Sequence, residues 1–272
     1  MVSRPQPSLT IFFQLDPFNP TIGGIQTCIK SVLKYAPSQF RIRLVGILHG
    51  QSNGQAVGST GQPTVGTWQT VQLENREFDF LPLLKIADDN VRRRIPTTVK
   101  YALALRKYLS RQPLVSDFYQ FHRIEPTVFT QQLWGTKLLY IHNDIRQEVG
   151  GGPAKGGILW KRFPWAYFAL ERRLVMQFDH ILSCNRESTR LYQQRYPEIA
   201  ERVSYLKNTF DSELFYPLSV AQKTLASEQL AQQLNLPQQT RFILFAGRLH
   251  PQKQPKLLIQ TMARLKQLQQ AD

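Results

Sequence analysis

Cysteine is scarce in this chain: there are two in 272 residues, Cys28 and Cys184. Two lone thiols supply neither a disulfide framework nor a zinc-ligand spacing, and they point to a reducing compartment. Acid is scarce as well. Nineteen Asp and Glu stand against 34 Lys and Arg, a formal net charge of +15. Such a balance favours anionic partners: nucleic acid, an acidic lipid surface or a phosphorylated substrate. No run of about 18 apolar residues occurs, so no membrane-spanning helix is expected. The first residues, MVSRPQPS, lack the apolar core of a secretory signal. The dinucleotide fingerprint G-x-G-x-x-G is missing. The glycine-rich stretch 150–157 (GGGPAKGG) is no Walker A loop, because Lys155 precedes Gly156 instead of Ser or Thr. An ATPase or kinase reading fails on that ground, and a flap over a cleft is the better reading of the stretch.

What is present is a regular alternation of short apolar runs and helical patterns. Residues 9–15 (LTIFFQL) read as a first strand. A turn-rich loop follows, then Gly23 and Gly24, then a helix with Ile25, Cys28, Ile29, Val32, Leu33 and Ala36 on one face. Further strands are expected at 41–48, 67–73, 77–81, 114–121, 137–141, 179–184 and 202–206. Strand and helix in alternation imply a doubly wound parallel sheet with ligands beyond the carboxyl ends of its strands. Residues at those ends are therefore candidates: His122 and Glu125 after one strand, His142 and Asn143 after the next, Asn208 after the last. A structural role is an equal or better reading for each histidine on its own.

Residues 91–111 carry seven Lys or Arg and no acid. Pro96 opens a helix there, with Ile95, Val99, Ala102 and Leu109 as its apolar face. Arg92, Arg93, Arg94, Lys100, Lys107 and Arg111 form either a solvated face or a dock for anionic lipid, worth roughly 1 kcal/mol per basic residue near the surface. Nucleic acid ranks last, since neither a reader motif nor an aromatic stacking platform is present. Residues 158–178 are helical, aromatic and basic together; Trp160, Phe163, Trp165, Tyr167 and Phe168 read as core, with a membrane interface as the alternative. Asn185 or Ser188 caps the next helix.

The last legible stretch, 241–266, reads as strand (RFILFA), turn after Gly247, and a helix with Pro255 in its first turn and Leu258, Met262 and Leu265 along one face. Arg248 and Lys253 lie in that turn. Two fixed cations and free backbone N–H groups at a helix start suit a diphosphate, and two solvated charges are the plain alternative. Gly-Arg, four residues and Lys between strand and helix resemble the donor-phosphate motif of retaining GT-B glycosyltransferases of family 4. Gly-Gly-Ile-Gln at 23–26, the histidine and Glu-Pro at 122–126, and Asn208, Asp211, Phe215 and Pro217 resemble segments of the same family in the same order. In the last of these, Thr209 and Phe210 replace the family's Gly-Val.

The resemblance implies a GT-B architecture of two Rossmann-like domains. Residues 1–212 would be the acceptor-side domain, and 213–272 a linker and the truncated start of the donor-binding domain. It implies transfer of a hexosyl-type sugar from a nucleotide-sugar donor to a glycan or lipid-linked acceptor with retention, in the cytoplasm and peripherally at the inner membrane face. Arg248 and Lys253 would stabilise the leaving diphosphate, so that neither a metal nor any other cofactor is needed. Gly23, Gly24, His122, Glu125, His142, Asn143 and Asn208 would contact substrate. The family's pair of glutamates, eight apart and further along, is not in this sequence. The chain therefore reads as a fragment, a truncated reading frame or half of a split enzyme. The alternative is a non-catalytic module that binds acceptor or membrane.

Overall fold

A computed structural model describes residues 6–19, 23–50, 63–73, 76–86, 96–142, 164–247, 249 and 253–269. The chain forms two compact units, Met1–Asp211 and Ser212–Asp272. The described part of the first unit is an α/β fold around an eight-stranded sheet. Its strands are β1 (Ser8–Phe12), β2 (Arg41–His49), β3 (Gln69–Leu73), β4 (Arg76–Ile86), β5 (Phe118–Phe121), β6 (Thr136–Ile141), β7 (His180–Ser183) and β8 (Val203–Tyr205). They lie in the order β3-β4-β2-β1-β5-β6-β7-β8. Every pairing is parallel except the edge pair β3–β4.

Parallel strands covered on both faces read as near-continuous apolar runs, and β2 does so, with Leu44 to His49 all buried. The two faces hold separate cores, sorted by the period of two along each strand. Ile11, Leu44 and Phe80 pack with Ile29 and Leu33 of α1 (Gly24–Tyr35). Phe12, Val45 and Leu81 pack with Tyr101 and Leu105 of α2 (Thr97–Leu109), Leu174 of α3 (Pro164–Val175) and Tyr192 of α4 (Arg186–Arg195). Asn185 is the cap of α4, accepting from the Glu187 N–H at 2.8 Å, whereas Ser188 is buried inside the helix.

The face that α2 buries differs from the one expected. Tyr101, Ala102, Leu105 and Tyr108 go in, and Val99 stays 44% exposed. The tyrosines carry more apolar area than valine and set the rotation of the helix; Tyr101 also donates to the Val45 carbonyl at 2.7 Å. Ile95 lies outside the described residues. Trp165, expected in the core, is 74% exposed on α3, and Tyr167 and Phe168 are half-buried. Trp160 and Phe163 lie outside the described residues. Behind α3, the buried Glu171 carboxylate accepts from the hydroxyls of Tyr167, Tyr192 and Tyr196 and pairs with Arg195 at 3.1 Å, which ties α3 to α4.

Two backbone devices shape the upper edge of the sheet. A Cβ on Gly46 would meet the Leu15 carbonyl oxygen at 2.3 Å and the Phe80 ring at 2.8 Å. Glycine there lets the chain beyond β1 lie directly on β2, where Ile47 N–H donates to Leu15 at 3.1 Å. Gly46 pairs with Pro82, which has no N–H to give, and the β2–β4 register shifts just after it.

The second unit consists, among its described residues, of α5 (Val220–Gln233) and α6 (Pro255–Gln269) joined by irregular chain. Ser219 and Gln222 close a reciprocal capping box at the start of α5. The strand expected at 241–246 does not form: those residues have no ladder partner, and Leu244 is 89% exposed. An apolar run becomes a strand only when a neighbour takes up its backbone groups. The helix beginning at Pro255 forms as expected.

Candidate functional site

In this sheet the chain leaves β1 in opposite directions, through β2 and β4 on one side and through β5 to β8 on the other. The loops beyond β1 and β5 therefore part, and the carboxyl edge at such a point is where open α/β sheets place their ligands. His122 follows β5, His142 follows β6 and Cys184 follows β7, each one residue past its strand's end. Neighbouring parallel strands in register bring these three together. His122 Nδ1 lies 2.9 Å from His142 Nε2, and the rings are 5.2 Å apart. Gln120 Nε2 lies 2.9 Å from His122 Nε2. Phe13, beyond β1, meets the His122 ring edge-on at 5.8 Å, and Tyr140 meets the His142 ring at 4.6 Å. Tyr140 donates to the Asn208 side-chain oxygen at 3.4 Å, and Cys184 Sγ donates to the His142 carbonyl at 3.3 Å. Among the expected contacts, the fold thus assembles His122, His142 and Asn208.

Burial governs the electrostatics of this cluster. Burial, and then the neighbouring His142, hold His122 well below the ordinary imidazole range. Burial and the Arg123 guanidinium lower His142 to about 4. Both rings are therefore neutral at pH 7. Burial raises the Cys28 thiol to about 11, with Cys184 adding to the effect, and both cysteines are free. Among the described residues, no group of three or more His, Cys, Asp or Glu is placed to hold a metal ion.

Gly23 is the N-cap of α1 with an extended backbone, so the helix begins at the carboxyl edge. Nothing lies within 4 Å of the position a Cβ would take on Gly24. In the loop beyond β1, the fully buried Asp16 carboxylate accepts from the Phe18 N–H at 3.0 Å and the Asn19 N–H at 3.3 Å. Its other oxygen takes the His49 N–H at 2.8 Å, which locks the loop after β1 to the end of β2. Glu125 opens the 3-10 helix Glu125–Phe129. Its charge acts on Tyr167, whose hydroxyl is pushed up first by burial and then by Glu171 and Glu125. Glu125 thus lies within electrostatic reach of the α3 network. Asp211 is held by the last turn of α1, through Lys34 at 2.9 Å and the Tyr35 hydroxyl at 2.5 Å.

In the second unit Lys253 stands just before α6, and its Cγ lies 3.9 Å from the position a Cβ would take on Gly247. Arg248, Asn143, Arg92, Arg93 and Arg94 lie outside the described residues, as does the stretch 150–157. Lys100, Lys107 and Arg111 are exposed on and just beyond α2, as expected of either a solvated or a docking face. No helix among the described residues is long and apolar enough to cross a membrane.

A second hollow, of about 440 Å³, lies near the amino edge of the sheet and is lined in part by Lys34, Arg41, Arg76 and Asp79. Its cations are already engaged: Arg41 with Asp79 at 2.7 Å, Lys34 with Asp211, and Arg76 with the carbonyls of Ala36, Pro37 and Phe40. It is a weak candidate for an anion.

Gln120, Tyr140 and Cys184 are cluster members that sequence reasoning missed. A signal existed for Gln120. It is polar within a buried strand and two residues before His122, hence on the same face. Asp16 was read only as part of a turn. Its position in the turn-rich loop beyond β1, just before Pro17, fits the Asx-turn role it plays.

No protein-family model matches the chain, and no curated protein matches it. Solved structures do. The catalytic domain of starch synthase IV from Arabidopsis thaliana, bound to ADP and acarbose, superposes with a TM-score of 0.54 at 9% identity, over 88% of this chain and 61% of that one. A trehalose-6-phosphate structure from E. coli, bound with UDP-2-fluoro glucose, gives 0.45 at 12% identity, over 84% and 54%; that score is below what a shared fold requires. The chain thus spans about three-fifths of the starch synthase domain. The likeness is one of fold: an α/β, GT-B-type arrangement with a mostly parallel sheet, as the sequence led one to expect.

Proposed function

We propose that these residues belong to a glycosyltransferase that moves a sugar from a nucleotide-sugar donor to a glycan or lipid-linked acceptor, with retention of configuration. The observation that supports this most is the polar cluster of His122, His142 and Asn208 at the carboxyl edge of a GT-B-type sheet, beside the point where its strand order reverses. The starch synthase domain of similar fold was solved with ADP bound.

In this reading the first unit takes the acceptor and part of the sugar. The neutral imidazole cluster offers hydrogen bonds to hydroxyls without adding charge. Gly23 and Gly24 let the ligand approach the start of α1, whose N–H groups favour negative charge. In the second unit Arg248 and Lys253 meet the diphosphate. Charge builds on that leaving group as the glycosidic bond to it breaks, and two cations fixed in advance lower the barrier; removing one such donor typically costs a factor of about 100 to 1,000. The reaction then needs no metal.

Titration calorimetry with a panel of nucleoside diphosphates and their sugars is the test. Binding of at least one is expected, and Lys253→Ala should weaken it at least about tenfold, the loss of one charge-assisted contact. A complete absence of binding across the panel contradicts the reading.

A module that only docks acceptor or membrane is the second reading. The exposed Lys100, Arg106, Lys107 and Arg111 on and beside α2 favour it. It predicts sedimentation with phosphatidylserine vesicles that falls steeply with salt, together with no nucleotide affinity.

A further inference from the structure

At the edge of the sheet opposite the histidines, where β2 and β4 begin, the hollow of about 440 Å³ is large enough for a small ligand. Its charges are balanced. The chain as a whole carries +15, yet Lys34, Arg41 and Arg76 here stand against Glu77, Asp79 and, through Lys34, Asp211. An anion would have to disturb a pair that is already made. A ligand without charge meets no such cost.

What the pairs leave over suits hydroxyl groups. Nε and Nη2 of Arg41 both hold Oδ2 of Asp79 at 2.7 Å. The guanidinium keeps further N–H donors, and the other carboxylate oxygen is met by the Thr70 hydroxyl at 3.4 Å, which leaves it room for another donor. A donor and an acceptor thus stand side by side, fixed by each other, as the neighbouring hydroxyls of a sugar ring require. Glu77 and Ser38 are exposed beside them. The rest of the lining is apolar: the half-buried Phe40, with Ile42 and Phe78. A sugar has the same two-sided character, with hydroxyls around its rim and C–H bonds on its face.

A second observation lies along the same edge. Trp134, two residues before β6, is 89% exposed. From β2 to β6 is three strand spacings, on the order of 14 Å at about 4.8 Å each. An indole left this open holds no core together. Its flat apolar face can stack on a ring at little conformational cost.

We propose that the amino edge is a second, non-catalytic carbohydrate site, in which the paired Arg41 and Asp79 hold the hydroxyls of one unit of a neutral oligosaccharide and Trp134 stacks on another unit of the same chain. Binding there needs none of the donor chemistry. Its use rests on the glycosyltransferase reading. β2 spans nine residues, so the two edges lie on the order of 30 Å apart at about 3.3 Å per residue. A glycan held at the amino edge is thus tethered to the enzyme without occupying the reacting site.

The experiment is a titration of the full chain, followed by backbone amide and indole N–H NMR shifts, with neutral oligosaccharides (maltoheptaose, cellohexaose, mannopentaose and xylohexaose) and, separately, with inorganic phosphate. At least one oligosaccharide should shift Ser38 to Ile42, Glu77 to Asp79 and the Trp134 indole together, and saturably. Raising the salt from about 0.05 to about 0.5 M should change that affinity less than about twofold, because the ligand is uncharged. Trp134→Ala should weaken binding about threefold to tenfold, the worth of one aromatic contact. Asp79→Asn should weaken it by a similar factor, about that of one hydrogen bond. Trp134 is exposed, so its variant keeps the proposal falsifiable should Asp79→Asn not fold.

No shift with any of the oligosaccharides overturns the proposal. So do shifts confined to the carboxyl edge, unchanged affinity in Trp134→Ala, or phosphate displacing the oligosaccharide from the amino edge. Failure of sugar nucleotides to bind, with the amino-edge shifts as expected, removes the functional reading and leaves the carbohydrate site standing. Sugar-nucleotide binding with a silent amino edge does the reverse.

Discussion

The two units of this chain carry similar apolar patterns and fold to different degrees. In the first, the runs at β1, β2 and β4 are completed by one another, and Ile11, Leu44 and Phe80 have no exposed surface. In the second, the run at 241–246 has no partner strand among the described residues. Leu244 is 89% exposed, Leu249 is 85% exposed, and along α6 Leu257 and Ile259 stand 55% and 68% exposed. The same residue types thus form a core in one unit and an open apolar surface in the other. The difference is the company they keep: a strand is a property of a ladder, and its sequence supplies only half of the bonds.

Paired substitutions test that contrast most strongly. Phe80→Ala in the first unit should lower the unfolding free energy by about 3–5 kcal/mol in a urea titration. Leu257→Ala in the second should change it by less than about 0.5 kcal/mol. Similar losses at both positions would show that the second unit buries its apolar face as well as the first.

A smaller effect separates the carboxyl-edge histidines from the rest of the first unit. Both imidazoles titrate lower in the fold than in the unfolded chain, where the ordinary value is 6.5. As pH falls through that value, the unfolded chain takes up protons before the folded one does. Stability from this pair is therefore complete above about pH 6.5 and declines towards about pH 4, by roughly 1–3 kcal/mol after allowance for the partial exposure of His142. Thermal melts of wild type and of a His122→Gln, His142→Gln double variant should diverge at pH 7 and converge near pH 4. Curves that stay parallel across that range would remove the histidines as the source.

The smallest expected effect is at the end of the first unit. Asp211→Asn weakens the partly buried pair with Lys34, and it should cost about 1 kcal/mol or less. A much larger loss in the same urea titration would make that contact a structural anchor for the chain leaving the first unit.

The legible parts of this protein were the ones fixed by local pattern. All eight strands were expected close to where they form; the inner parallel strands are apolar runs flanked by turn residues, whereas β3, at the antiparallel edge, buries only Val71. β4 runs on through Ile86, past an expected end at 81, because Pro82 is tolerated at an irregularity in the ladder that sequence alone does not display. His122 and His142 were legible as strand-end residues. Their hydrogen bond was not, since it depends on which strands are neighbours in the sheet. Gln120 illustrates the limit. Its place on the His122 face follows from the period of two, and its contact with the His122 ring is visible only in the distance between the two side chains. The burial of α2 on its tyrosines and the exposure of Trp165 were missed because residue type was weighed without the shape of the surface opposite.

Under the proposed function, sugar nucleotides bind at the carboxyl edge, where β1 and β5 part. The most direct measurement is a map of backbone amide NMR shifts as UDP-glucose and ADP-glucose are added. In the first unit the expected shifts centre on Phe13 to Asp16, Gly23 to Gln26, His122 and His142. Shifts confined to the basic surface of α2, or to the hollow around Arg41 and Asp79, would contradict it, as would no shift with either nucleotide.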